Sequence, residues 1–300
     1  MDETTVRFED VWRSFGGRPA LEGLAFTVPR GSITALLGPN GAGKTTALKC
    51  LVGLLRPDRG RITVLGREVG RLDARTREAL GYLSERQALD PRLTVRQLIE
   101  FARALNPRWD DALAADLLRR LELPPGATVG ALSQGGARKL GLLIALAPRP
   151  ELLVLDEPAA NLDAAVRREF LETVLDLFRG QGMTVLLSTH LLHDVERLAD
   201  RVALLEAGRL RVEDTLDGLK ERVKAIRVIG NGAAPLPPFR VPGLLRERRA
   251  GREALLTIEG FDERTLPALR EQTAAALEVV DLPLEDIFIA YASAPREASF

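Results

Sequence analysis

Between Thr4 and Arg30 apolar and polar residues alternate. Val6, Phe8 and Val11, then Leu24, Phe26 and Val28, mark two halves of this pattern, with Gly16–Gly17 between them. A period of two predicts antiparallel strands. Residues 32–37 (SITALL) form a short apolar run that ends at Gly38, and a helical pattern follows from Thr45 to Leu55. A run this short, then glycines, then a helix predicts a buried strand feeding a helix through a loop. Helical spacing returns at Leu98, Phe101, Ala102 and Leu105 and, beyond Pro107, at Leu113, Leu117, Leu118 and Leu121. A third helix starts near Ser133, runs apolar to Ala147 and stops at Pro148. Buried-strand patterns at Leu152–Asp156 and Thr184–Ser188 bracket a helix over Asp163–Phe178. Such alternation predicts βαβ units and a parallel sheet. Strand-like Val202–Leu205 and Leu210–Val212 flank a turn at Ala207–Gly208.

The character of the chain changes near residue 216. Residues 230–243 (GNGAAPLPPFRVPG) are too rich in Pro and Gly for a regular element. Around them lie strand candidates Ala225–Ile229 and Ala254–Ile258, a helix from about Asp262 to Ala276, and a final Leu284–Tyr291 segment. The expected organisation is a large α/β domain over 1–215 and a small α+β domain over 216–300. Neither repeats nor heptads are present.

Composition narrows the partners. The 300 residues are 46% hydrophobic and 28% charged, ordinary values for a globular chain. Lys+Arg and Asp+Glu are both 42. Zero net charge argues against nucleic-acid binding by bulk electrostatics, so no nucleic-acid partner is expected. A single cysteine, Cys50, excludes an intrachain disulfide, and with only His190 and His193 it leaves too few ligands for structural zinc. The longest apolar stretch, Leu140–Ala147, is far short of the ~20 residues a bilayer requires. The first residues, MDETTVRFED, lack the layout of a signal peptide. The expected address is cytoplasmic, with any membrane link made through a partner.

Four motifs carry chemistry. Gly38-Pro39-Asn40-Gly41-Ala42-Gly43-Lys44-Thr45 is a complete phosphate loop at a strand-to-helix junction. Its glycines let successive N–H groups point at phosphate oxygens, and the positive end of the following helix adds to that attraction. Lys44 would reach the β- and γ-phosphates, and the Thr45 hydroxyl would bind Mg²⁺. Leu152–Pro158 (LLVLDEP) ends a buried strand in two carboxylates. Asp156 suits the Mg²⁺ shell, and Glu157 suits polarising an attacking water. An acidic loop start after a core strand is the plainer alternative. Ser188-Thr189-His190 ends the next strand. A lone His there is commonly an ordinary structural residue, but its sheet edge is the one that would face the γ-phosphate. Leu132-Ser133-Gln134-Gly135-Gly136 opens an apolar helix. Ser133 fits a plain N-cap, while the adjacent glycines would suit an anion.

In this order the motifs, with Leu162-Asp163 before STH, resemble the nucleotide-binding subunit of ATP-binding-cassette (ABC) transporters. The resemblance covers roughly residues 4–215. It implies a P-loop ATPase with a mixed central sheet, an N-terminal antiparallel strand layer and a helical signature subdomain at about 85–147. It implies ATP and Mg²⁺ as cofactors, with phosphates held by Gly38 to Thr46, Glu157 as general base and His190 on the γ-phosphate. Phe15 resembles the aromatic that stacks on adenine, though Tyr is commoner there. Ser133 and Gly135 would contact ATP bound by a second copy, and Asp163 would lie at the dimer seam. The implied partners are that second copy and a separate membrane permease, which would hold the chain peripherally on the cytoplasmic face of the membrane.

Some positions depart from the family pattern. The signature is usually LSGGQ, and Gln134 and Gly136 break it. Gly81-Tyr82-Leu83-Ser84-Glu85 resembles the loop that senses Mg²⁺ and the transport partner, with Glu85 where Gln is usual; a solvated loop acid is the alternative reading of Glu85. Leu284–Phe288 and Leu105–Asp110 resemble the bacterial drug, antibiotic and ion exporter branch, which implies export.

Two other classes compete. A soluble cassette ATPase acting on nucleic acid or ribosomes would need coiled-coil or zinc insertions, or a second cassette. The interval from Thr45 to Ser133 holds neither heptads nor any cysteine but Cys50, and one phosphate loop is present. A small-molecule kinase has no use for the Ser133 helix start. The cargo and the role of the small domain stay open.

Overall fold

The structure, a computed structural model, describes residues 4–160, 162–231, 236, 240–273 and 275–294, with 180 and 181 described by backbone only. It divides into two compact units, residues 1–213 and 214–300.

In the first unit β1 (Thr4–Phe15) and β2 (Arg18–Pro29) form the antiparallel hairpin that the alternation predicts. β3 (Ile33–Leu37) is buried along its whole length and leads into α1 (Lys44–Leu51). β4 (Arg59–Val64) pairs with β1, and the short β5 (Arg67–Glu68) closes a four-stranded sheet ordered β2-β1-β4-β5. α2 (Ala74–Glu78) precedes β6 (Leu80–Leu83). The helical part holds α3 (Val95–Leu105), α4 (Asp111–Arg120) and α5 (Gln134–Leu146). β7 (Leu152–Asp156), α6 (Ala164–Gln181), β8 (Thr184–Thr189), α7 (Leu192–Leu198), β9 (Arg201–Glu206) and β10 (Arg209–Thr215) follow. The central sheet runs β10-β9-β3-β8-β7-β6, with β9-β3, β3-β8, β8-β7 and β7-β6 parallel. It is therefore an α/β fold whose antiparallel layer and parallel sheet share one core. Phe8 and Phe26 stack at 4.5 Å within that core, which also takes in Leu36, Leu48, Leu51, Ile62, Val154 and Leu186.

Local sequence explains the helix starts. Thr94 and Gln97 close a capping box before α3, and Asp110 caps α4. Pro150 and a carbonyl of α5 explain Gly81: a Cβ there would meet the Ala145 carbonyl oxygen at 2.7 Å. Residues 80–83 are thus a strand rather than the start of a loop, and only Ser84 and Glu85 lie beyond it. Four residues with a glycine inside show no alternation, so the strand is silent in the sequence.

The second unit contains α8 (Leu216–Arg222), β11 (Val223–Ile229), β12 (Leu244–Ala250), β13 (Glu253–Glu259), α9 (Thr265–Thr273), β14 (Ala276–Asp281) and α10 (Leu284–Ser293). Its antiparallel sheet is ordered β12-β13-β11-β14 over a core of Ile226, Val228, Leu256, Ile258 and Leu269. The helix expected from Asp262 to Ala276 is shorter, and Ala276 opens a strand. Leu277 and Val279 of β14 lie opposite Val228 and Ile226, so pairing with β11 wins over continued helix. Of the Pro/Gly-rich stretch 230–243, residues 232–235 and 237–239 lie outside the described residues.

Candidate functional site

Strand register assembles the site. Leu37 of β3 lies opposite Thr189 of β8, Asp156 of β7 opposite Ser188, and Leu83 of β6 opposite Leu155. The ends of four parallel strands therefore deliver the phosphate loop, Asp156–Glu157, Thr189–His190 and Ser84–Glu85 to one sheet edge. Ligands bind at this carboxyl edge in open α/β sheets.

A cleft of about 480 Å³ opens there. Asn40, Gly41, Ala42, Gly43, Lys44, Thr45, Thr46, Glu85, Glu157 and His190 line it, together with Ala20 and Ala160. Gly38 and Gly43 fix the loop's path. A Cβ on Gly38 would collide with the Leu205 carbonyl oxygen, and one on Gly43 (φ +106°) with the Ala20 carbonyl oxygen. Gly43 is also the N-cap of α1 and supplies no side chain to its first N–H groups. Those donors are free to bind an anion.

Polar contacts order the charged groups. Lys44 is buried; its Nζ donates to the carbonyl oxygens of Gly38 (2.7 Å) and Pro39 (3.3 Å) and lies 3.1 Å from Glu157 Oε1. The other carboxylate oxygen, Oε2, is 2.9 Å from His190 Nδ1. Glu157 has φ +46°, a left-handed conformation uncommon for a residue with a side chain. Its N–H donates to Ser188 Oγ and to the Ser188 carbonyl oxygen, which hold this turn. Local strain held by surrounding bonds is typical of sites that do chemistry.

Asp156 is fully buried beneath the cleft. Its Oδ1 accepts from Thr45 Oγ1 (2.9 Å) and Ser188 Oγ (2.8 Å), while its Oδ2 is buried without a hydrogen-bond partner. Burial pushes the Asp156 carboxyl up, against the pull of those two hydroxyls. Tyr82, half-buried nearby, has its phenol pushed up to about 12 by desolvation and by the charges of Asp156 and Glu85.

The orphaned Oδ2 and the Thr45 hydroxyl are hard oxygen donors, and they fit a small divalent cation such as Mg²⁺. Among the described residues no three His, Cys, Asp or Glu side chains form a metal cage. That also fits Mg²⁺, which usually takes one or two carboxylates and fills its shell with phosphates and water.

The remaining candidates stand apart from the cleft lining. Phe15 ends β1, is 45% exposed and carries the Arg13 guanidinium 4.8 Å from its ring centroid. Ser133 caps α5 by accepting from Gly136 N–H, and Asp163 caps α6 by accepting from Ala165 and Val166 N–H. Gly135 faces α6, where a Cβ would approach Val166 at 3.1 Å. Among the described residues, Phe15, Ser133, Gly135 and Asp163 do not line the cleft with Lys44 and Glu157.

Sequence reasoning passed over Ser188 as a ligand of both Asp156 and Glu157. It also passed over Arg138, which donates from α5 to the Ser84 carbonyl oxygen at 2.6 Å. The signal for Arg138 was a cation pair, Arg138-Lys139, inside an otherwise apolar helix.

Comparison with known proteins agrees with this geometry. Residues 21–160 match the ABC transporter family. The chain is 36% identical over 299 residues to a Nod factor export ATP-binding protein I of Rhizobium sp. (strain N33), covering 96% of this chain and 97% of that protein. It is 41% identical over 233 residues to a daunorubicin resistance ATP-binding protein of Streptomyces coeruleorubidus, covering 76% and 73% of the two chains. A solved structure titled as the ATP-binding subunit of an ABC transporter superposes with a TM-score of 0.65 at 29% identity, over 73% of this chain and 92% of that one.

Proposed function

Because the chain belongs to the ABC transporter family as an ATP-binding and ATP-hydrolysing subunit, we propose that it powers an exporter through a separate membrane permease. The observation that carries the ATPase site is the meeting of Lys44, Thr45, Asp156, Glu157 and His190 at one sheet edge. Lys44 and the bare N-terminus of α1 take the phosphates. Glu157 removes a proton from the attacking water, and His190 on its second oxygen holds the carboxylate in line. Thr45 and Asp156, with Glu85 on the cleft wall, would hold Mg²⁺, which would supply charge neutralisation for the phosphates. Ser133, Gly135 and Asp163 lie outside the cleft, which supports a role toward nucleotide held by a second copy.

Phe15 serves as the adenine platform, with one ring face covered by Arg13. Stacking binds ground and transition states alike, so Phe15→Ala raises KM for ATP more than it lowers kcat. The expected loss is about 1–3 kcal/mol, roughly five- to a hundredfold in affinity. Steady-state kinetics decide: a fall in kcat at unchanged KM rejects the adenine contact.

Among the described residues no helix is long and apolar enough to cross a membrane. In this reading the chain meets the membrane through the permease. Phe101 and Leu105 support a docking face on α3. They are 58% and 64% exposed, four residues apart and hence on one side of the helix, while Val95, Leu98 and Ala102 are buried. Phe101→Asp should leave ATP hydrolysis by the isolated chain unchanged. In fractionated source cells, losing one buried aromatic anchor should lower the share in the membrane pellet by about tenfold. Equal pellets for variant and parent reject this face as the docking site.

A further inference from the structure

The first unit holds a second cleft, of about 860 Å³, which is larger than the nucleotide cleft and shares none of its lining residues. The end of α1, the start of β4, the end of β5 and α2 wall it. Six arginines converge there: Arg13, Arg56, Arg59, Arg61, Arg71 and Arg77. Two of them are paired, Arg13 with Asp58 at 2.7 Å and Arg59 with Asp10 at 3.0 Å. Arg56, Arg61, Arg71 and Arg77 are exposed, and their side chains make no hydrogen bond or ion pair among the described residues. Of the described carboxylates on the wall, only Glu68 lacks a cation. The whole chain carries no net charge, so four unpaired arginines against one carboxylate is a local excess.

Charge commonly guards an open strand edge, and Arg61 on β4 could serve that end, since β4 pairs with β5 only through Thr63 and Val64. Edge guarding does not explain the other three. Arg56 follows α1, Arg71 ends a 3-10 turn (Val69–Arg71) and Arg77 lies in α2, yet all three line the same cleft. Like charges gathered in one cleft repel, and an anionic partner relieves that repulsion. Guanidinium groups match phosphate oxygens two bonds at a time. Leu54, 63% exposed, stands in sequence between Gly53 and Leu55 of the cleft wall. Cations beside an exposed apolar side chain suit a membrane surface, where phosphate headgroups overlie acyl chains; a dissolved anion offers nothing to Leu54. We propose that this cleft seats anionic phospholipid headgroups, apart from both the nucleotide cleft and the α3 face. The proposal rests on the reading that the chain works at a membrane, and it adds a weak second attachment to docking on a permease.

The test is co-sedimentation of the full chain with protein-free vesicles, either phosphatidylcholine alone or with about 30% phosphatidylglycerol, in about 0.1 M NaCl. The parent should favour the anionic vesicles by about tenfold or more. Each cation at such a surface is worth about fivefold, so Arg61→Ala with Arg71→Ala should weaken binding about thirtyfold. ATP hydrolysis in solution should stay at the parent rate, since neither residue lines the nucleotide cleft. Should that pair not fold, Arg56→Ala with Arg77→Ala replaces it, with the same expected loss. Arg30→Ala with Arg179→Ala removes equal charge outside the cleft and should cost less than about threefold. A parent without preference for anionic vesicles overturns the proposal, and so does a control pair that loses as much as the cleft pair. Inorganic phosphate that releases the parent better than NaCl of equal ionic strength marks a site for dissolved anions and overturns it too. If parent and cleft variant bind vesicles alike but differ on membranes of the source cells, the cleft meets acidic protein side chains, and the lipid assignment falls. No permease is present in the vesicles, so failure here leaves the exporter reading and the α3 face to their own test.

Discussion

Glu157→Gln should bind ATP and fail to cut it. The amide keeps the shape of the carboxylate and can still accept from Lys44 Nζ, which lies 3.1 Å from Oε1 in the parent. It cannot take a proton from water. Hydrolysis should fall by on the order of 10²–10⁴, the usual worth of a general base. Binding should survive, because Gly38–Thr45 and the N-terminus of α1 are untouched. On the proposed pairing of two copies across bound ATP, with hydrolysis parting them, the variant should accumulate as an ATP-bound dimer. Size-exclusion chromatography with ATP and Mg²⁺, over a range of protein concentrations, reads that dimer directly. Removing nucleotide should return it to monomer. Hydrolysis at the parent rate would reject Glu157 as base. An inactive variant that stays monomeric at high concentration would spare the base but reject the roles of Ser133, Gly135 and Asp163 across a dimer seam.

Lys44→Ala is expected to lose ATP almost completely. The ammonium is the cation of the phosphate loop, and charge-assisted bonds to phosphate are worth roughly 1.5–3 kcal/mol each. With two such bonds gone, affinity should drop by on the order of a hundredfold or more. The structure adds a second effect. Lys44 is also the cation of the buried Glu157, so its removal strands a carboxylate and should lower Tm as well. Nucleotide titration by calorimetry, on protein shown to be folded by circular dichroism, separates the two. Unchanged affinity in a folded variant would sink the phosphate-loop assignment.

Much of this site is legible in the sequence because its chemistry sits on strong periodic signals. The phosphate loop follows a five-residue buried strand, and Asp156–Glu157 and His190 end two more, so a parallel sheet alone brings them to one edge. What the sequence hides is lateral. β6 has four residues and a glycine required by the Ala145 carbonyl, so no alternation announces it, yet its register with β7 carries Glu85 to the cleft. β12 (LLRERRA) is an edge strand dense in charge, which guards an open edge from unwanted pairing and erases the apolar pattern of a strand. Only Ala276 of β14 reads as a helix tail, and the rest of the strand carries no signal until β11 is there to pair with it. Arg138 and Ser188 act through partners far away in sequence, Ser84 and Asp156, and spacing along one helix or strand cannot show that.

The collisions that forbid a side chain at Gly38 and Gly43 involve main-chain oxygens, those of Leu205 and Ala20. A main-chain oxygen is present whatever residue supplies it. Drift in Leu205 or Ala20 therefore cannot relieve either contact, and no compensating partner change could open room for alanine. The reverse does not hold: the residues that form these walls can vary as their own packing allows, without disturbing the loop. Tolerance at this site is thus one-sided, with two glycines locked by the outline of neighbouring backbone and the neighbours left free to diverge.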